Sequence, residues 1–166
     1  MSRQHPALLF ADRAREIAEF CLRHSGKAFN AFEGWNPPLL FSYVFFHVVA
    51  RTVFMVRKHG GPCGTHITAV AFAWSNPETE IRKRAAAGSP QFDWRRTEDA
   101  ADSLFVAQVI VKSREGNLAR LARQVGQRWP DWQQRKIFTY RPLRGGHQGL
   151  QLVELRPAVI AKLTAD

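Results

Sequence analysis

Residues 104–128 decide the fold: Leu104-Phe-Val-Ala-Gln-Val-Ile-Val111, then Lys112-Ser-Arg-Glu-Gly116, then Asn117-Leu-Ala-Arg-Leu-Ala-Arg-Gln-Val-Gly-Gln-Arg128. The first eight residues are almost continuously apolar, as in a central strand covered on both faces. From Asn117 onward, Leu118, Leu121, Ala122 and Val125 fall on one side of a helix. The stretch therefore reads as strand, loop and helix. A loop that ends in glycine before a helix directs unpaired backbone N–H groups outward, toward a pocket for pyrophosphate. Lys112 and Arg114 add positive charge at its mouth, which makes Val109, Val111, Lys112, Ser113, Arg114, Gly116, Asn117 and Leu118 the candidate cofactor-binding residues. The same spacing also fits a plain β–α connection with solvated cations.

Upstream, Arg51 to Lys58 alternates with β-branched residues and His66 to Trp74 is a second strand; the His59-Gly-Gly-Pro-Cys-Gly64 turn between them predicts an antiparallel hairpin. Asn76-Pro-Glu-Thr opens a short helix to about Ala86, with Asn76 as its cap and Pro77 in its first position. Ala87 to Ala101 reads as a loop. Before the hairpin, Leu9, Ala14, Ile17, Ala18 and Cys21 predict an amphipathic helix from about Pro6 to His24, and Pro37 to Val49 a strongly buried one. Downstream, Lys136 to Tyr140 and Leu150 to Leu155 read as strands separated by the Arg144-Gly-Gly146 turn. The order is helix, helix, strand, strand, helix, strand, helix, strand, strand, in one α/β domain.

Composition narrows the setting. At 45% apolar and 23% charged residues, the 166-residue chain can bury a substantial core, which argues against disorder. A net charge of +10 implies an acidic partner: nucleic acid, an anionic surface, an acidic carrier protein or a phosphate-rich cofactor. Cys21 and Cys63 share no metal-spaced motif and no disulfide framework, so the cytoplasm is the expected compartment. The N-terminal run becomes charged too soon for a signal peptide, and Leu39 to Ala50 is too short to span a bilayer.

Trp35-Asn-Pro-Pro-Leu-Leu-Phe opens the buried helix, and Val70-Ala-Phe-Ala-Trp-Ser-Asn-Pro-Glu-Thr-Glu-Ile81 runs from a strand into an acidic-start helix. With the strand around Phe105, the glycine loop and helix at 113–128, and Trp129-Pro-Asp131, these segments resemble the bacterial toxin-activating lysine acyltransferases. That family acylates RTX toxins from acyl carrier protein, and the order of elements resembles the GNAT acyltransferase fold. The likeness covers roughly residues 15–155. It implies a mixed, largely antiparallel α+β sheet flanked by helices, an acyl-CoA or acyl-carrier thioester bound at the 112–118 loop, and N-acyl transfer to an amine. Whether the central strand splays from its neighbour at residues 107–111 then decides the matter: a V-shaped opening leaves room for a pantetheine arm, and a closed, side-chain-filled sheet leaves none.

The departures are specific. The family has an essential histidine just before the tryptophan that opens the buried helix, where this chain has Phe32-Glu33-Gly34. It has an aspartate within the central strand, where this chain has Ala107 or Gln108. Without an imidazole at the first place there is no evident general base or nucleophile there. General GNAT enzymes carry a Gln/Arg-x-x-Gly-x-Gly/Ala loop, of which Ser113-Arg-Glu-Gly116-Asn-Leu118 keeps only the first glycine.

Tyr140, ending a strand after the candidate pocket, and His66, opening a strand beside the Gly-rich turn, are the remaining catalytic candidates. His47, on an apolar helix, reads as a core histidine, and no His/Cys/Asp/Glu cluster has metal-ligand spacing. The alternative is a catalytically inactive GNAT-like module, structural or nucleic-acid-associated, as in a phage or nucleoprotein assembly. Arg82, Lys83, Arg84, Arg95, Arg96, Arg114, Arg120, Arg123 and Arg128, with Trp94, Trp129 and Trp132 nearby, supply its charge and stacking groups. No helix-turn-helix, zinc-finger or RNA-recognition signature accompanies them.

Overall fold

A computed structural model describes residues 6–24, 32, 35–60, 64–87, 98–112, 116–142 and 150–164. Helices α1 (Pro6–His24) and α2 (Pro37–Ala50) precede β1 (Val53–His59), β2 (Thr65–Asn76), α3 (Glu78–Ala86) and β3 (Ser103–Val111). Then come α4 (Asn117–Arg128), β4 (Lys136–Pro142), β5 (Leu150–Glu154) and α5 (Pro157–Thr164). The strands form one open sheet in the order β1-β2-β3-β4-β5. Neighbours are antiparallel except β3 and β4, which run parallel because α4 carries the chain back to the same end of the sheet. This mixed, largely antiparallel sheet flanked by helices is consistent with the GNAT-like α+β architecture expected from the sequence.

Two apolar layers sandwich the sheet. Ile17 and Cys21 of α1 and Leu40 and Val44 of α2 pack with Val70, Phe72, Trp74, Phe105, Ile110 and Phe138. On the opposite face, Leu121 and Val125 of α4 and Ile160 of α5 meet Ala69, Ala71, Ala73, Leu104 and Ile137. β2 thus alternates large residues toward α1 and α2 with alanines toward α4, so the second helix layer can approach closely. Trp129 closes the far end of α4 against Phe54, ring centroids 5.7 Å apart, and its indole N–H donates to Asp99 at 3.0 Å.

Local chemistry fixes the helix ends. The Asn36 side chain accepts from the Leu39 N–H at 2.8 Å at the start of α2, and Pro37 and Pro38 occupy the first turn. The expected cap of α3 is corrected: Asn76 ends β2 and is buried, and Pro77 holds the cap position with no side-chain cap bond. The Glu78 N–H is satisfied instead by Asp102 Oδ1 at 3.0 Å, a partner from just before β3. α5 is an element that the sequence reading did not foresee. Among the described residues, no helix is long and apolar enough to cross a membrane.

Candidate functional site

The β3–β4 ladder is short. It pairs Ser103 with Lys136 through Val106 with Thr139 and then stops, although β3 continues to Val111 and β4 to Pro142. The facing edges of residues 107–111 and 140–142 have no strand partner in each other. On its other edge β3 carries a bulge: Phe72 pairs with Gln108 and Ala73 with Val106, so Ala107 is the extra residue. The Thr139 hydroxyl donates to the Val106 carbonyl at 2.8 Å and closes the last rung.

A cavity of about 160 Å³ lies on the α4 face at this place, walled by Val106, Val109, Leu118, Leu121, Ile137, Thr139, Leu155 and Ile160. Apart from Thr139 these side chains are apolar. Val109 stands at the rim, 40% exposed. Thr139, Leu155 and Ile160 were missed as site residues. The signal for the last two was the Pro157-Ala-Val-Ile sequence, a proline at a first helical position ahead of apolar residues.

The other loop candidates do not share this wall. Val111 is half-buried on the α4 face, whereas Lys112 is exposed and its N–H donates to the Thr68 carbonyl at 2.9 Å. Gly116 adopts φ 61° immediately before α4, a left-handed conformation that glycine takes without strain. Asn117 is fully buried, and its Oδ1 accepts from the Thr68 hydroxyl at 3.0 Å, fastening the start of α4 to β2. Ser113 and Arg114 lie outside the described residues, as do Glu33, Gly34, Cys63, Trp94, Arg95, Arg96 and the Arg144–Gly146 turn.

His66 and Tyr140 occupy different places. His66 is exposed on a polar cavity of about 450 Å³ together with Glu16, Glu19, Arg23, His24 and Lys112. A Cβ at Gly60 would fall 2.9 Å from its Nδ1, so a side chain there would push this exposed ring aside. The two carboxylates are engaged, Glu16 with Arg57 and Glu19 with Arg23. Tyr140 belongs to the α1–α2 face, edge-on to Phe105 at 5.2 Å, and burial pushes its phenol up to about 12.

Of the positions where the resembling enzymes carry their chemistry, the described ones, Phe32, Ala107 and Gln108, are packed. Phe32 is buried and meets Trp35, Tyr43 and Phe72 edge-on, with centroids 5.2, 5.5 and 5.7 Å away. Ala107 packs against the same aromatic layer, and Gln108 is buried. His47 is a core residue as expected, with Nδ1 sharing a 2.6 Å hydrogen bond with the Thr52 hydroxyl and Nε2 without a partner among the described residues. Burial lowers its pKa to about 3 and pushes the Cys21 thiol up to about 12, so neither is a nucleophile or base poised for neutral pH. Among the described residues no His, Cys, Asp and Glu side chains are grouped to hold a metal ion. No protein-family model matches the chain, and no curated protein matches its sequence.

Proposed function

We propose that the chain binds an acyl thioester, of coenzyme A or of an acyl carrier protein, beside the point where β3 and β4 cease to pair. The observation that carries this reading is the end of the ladder at Val106 and Thr139 directly over an apolar cavity. A thioester's arm needs such a place: strand edges with backbone groups to spare, and a dry wall for its methylenes. At about 160 Å³ the cavity is narrower than the roughly 300–1,000 Å³ usual for compact small-molecule ligands, which favours a slender chain.

In a working transferase the acceptor amine would attack the thioester carbonyl, with N–H groups on the free β3 edge holding the carbonyl oxygen. Tyr140, its phenol pushed up to about 12, stays protonated near neutrality, but it packs on the opposite face of the sheet from the cavity, so it would reach the departing thiolate only through the gap between the unpaired strand edges. It cannot serve as the base at that pH. The proposed activity is thus thioester binding, with N-acyl transfer depending on an amine already deprotonated when it arrives.

Calorimetry with acetyl-, octanoyl- and palmitoyl-CoA tests the reading. Each methylene that enters the cavity contributes about 0.8 kcal/mol, or roughly fourfold in affinity, until the cavity is full. Val109→Trp, which fills the rim, abolishes the chain-length dependence. No heat with any thioester, or affinity indifferent to both chain length and Val109→Trp, defeats the proposal.

A further inference from the structure

We propose that the outer face of α4, with the adjoining edge of β1, docks the phosphodiester backbone of a nucleic acid. The chain carries 24 Lys and Arg against 14 Asp and Glu, but much of its positive charge is already spoken for. Arg82 pairs with Glu78, Arg84 with Glu80, Arg128 with Asp99 and Arg135 with Asp131. Trp129, a stacking candidate in the sequence, is buried. α4 contains no acidic residue, and among the described residues its Arg120 and Arg123, like several other cations, meet no carboxylate, but these two stand together on one exposed helix face.

These two exposed arginines and Gln127 follow one another at i, i+3 and i+7 along the solvent stripe of α4. With Arg57, Gln124 and Val56 they wall a concavity of about 400 Å³. A second concavity of about 400 Å³ continues past Arg123 and Gln127 to Gln133 and the half-buried Trp132. No carboxylate lines either one. The surface is also held in place. The Gln124 side chain accepts from the Met55 N–H at 3.1 Å and donates to the Met55 carbonyl at 2.7 Å, locking α4 to β1.

The lining chemistry selects the partner. Guanidinium forks and side-chain amides are donors for phosphate oxygens. Cβ atoms three residues apart on a helix lie about 5–6 Å from each other, so Arg120 and Arg123 reach neighbouring phosphates of one strand. A docking protein with acidic side chains would need an apolar centre to bury, and the first concavity offers only Val56. Interfaces with nucleic acid are polar and strongly positive, as here. Phosphate contacts position a strand without reading its bases, so binding is indifferent to sequence.

Fluorescence anisotropy with labelled 20-nucleotide single-stranded DNA, single-stranded RNA and duplex DNA, from 50 to 200 mM salt, tests this. The wild-type protein binds at 50 mM and weakens with salt, and the three probes separate a DNA from an RNA preference. Arg120→Gln with Arg123→Gln weakens binding at least tenfold and lowers the salt slope by about 1.4 on single strands or about 1.8 on duplex. Arg120→Lys with Arg123→Lys retains most of the binding, and Arg13→Gln with Lys83→Gln leaves it unchanged. All variants melt at the wild-type temperature, because the side chains changed are exposed.

Absence of binding at 50 mM salt, or unchanged binding by the double glutamine variant, overturns the proposal. So does capture of polyglutamate through Arg120 and Arg123 by a protein that ignores the oligonucleotides, which would assign the surface to an acidic protein. None of these arginines lines the apolar cavity, so failure of thioester binding leaves this inference standing and the reverse holds too.

Discussion

Replacing His47 with phenylalanine should remove most of one identifiable source of acid sensitivity. His47 is 1% exposed, its ring lies among those of Tyr43, Phe72 and Trp74, and among the described residues its side-chain hydrogen-bond partner is the Thr52 hydroxyl. Burial lowers its pKa from 6.5 to about 3, so the folded protein holds the imidazole neutral while the unfolded chain protonates it below 6.5. Below that pH the unfolded state binds the extra proton, so stability is complete above 6.5 and falls as pH drops toward 3. At about 1.4 kcal/mol per pH unit the loss reaches about 2 kcal/mol at pH 5 and about 5 kcal/mol at the bottom of the window. Urea unfolding followed by tryptophan fluorescence measures both proteins at pH 7.5 and pH 5. At pH 7.5 the variant lies within about 1.5 kcal/mol of wild type, since it loses the Thr52 bond but also an unpartnered Nε2. At pH 5 the difference moves by about 2 kcal/mol in favour of His47→Phe. Carboxylates titrate alike in both proteins and cancel. Parallel stability curves across this range would refute the assignment of the acid sensitivity to a buried neutral His47.

Two further substitutions probe the scaffold around the candidate surfaces. Thr139→Val removes the hydroxyl that closes the last β3–β4 rung and should cost about 1 kcal/mol by urea unfolding; no change would mean that the Val106 carbonyl has another donor. Gln124→Ala breaks both side-chain bonds to Met55, costing about 2 kcal/mol, and bares a peptide unit on the β1 edge. Concentration-dependent association in analytical ultracentrifugation is the expected companion of that loss, and a strictly monomeric, undiminished Gln124→Ala protein would deny Gln124 its edge-blocking role.

The elements whose signal is local were legible in the sequence. The apolar run of β3, the stripe of α4, the two prolines of α2 and the turn residues between β1 and β2 each carry their own periodicity or cap. What escaped depends on contacts between distant residues. Asp102 caps α3 from 24 positions away, a pairing that no local pattern contains. Asn117 looks like a loop residue facing a ligand, yet the fold buries it against Thr68, 49 residues earlier. The cavity wall needed α5, whose eight residues form a helix by packing Ile160 beneath α4 rather than by strong intrinsic preference. Arg120 and Arg123 were already candidates in the sequence, but which of the neighbouring cations are neutralised by carboxylates exists in three dimensions alone.

The packing around Phe32 bears on whether binding or catalysis is the better proposal. Phe32 shares Tyr43 and Phe72 as ring neighbours with His47. An imidazole placed at residue 32 would enter the same desolvated layer, and burial would drive its pKa down in the same direction as that of His47. It would then be a poor acceptor for an amine proton or a thiol proton near neutrality. A carboxylate at Ala107 would likewise face aromatic rings rather than water. An imidazole at residue 32 or a carboxylate at residue 107 would therefore sit within this aromatic layer, away from solvent and substrate. The end of the β3–β4 ladder and the cavity beneath it lie on the other side of the sheet and do not depend on that layer. The proposed thioester binding therefore does not require an acid or a base in that layer, and binding at the cavity stands or falls separately from acyl transfer.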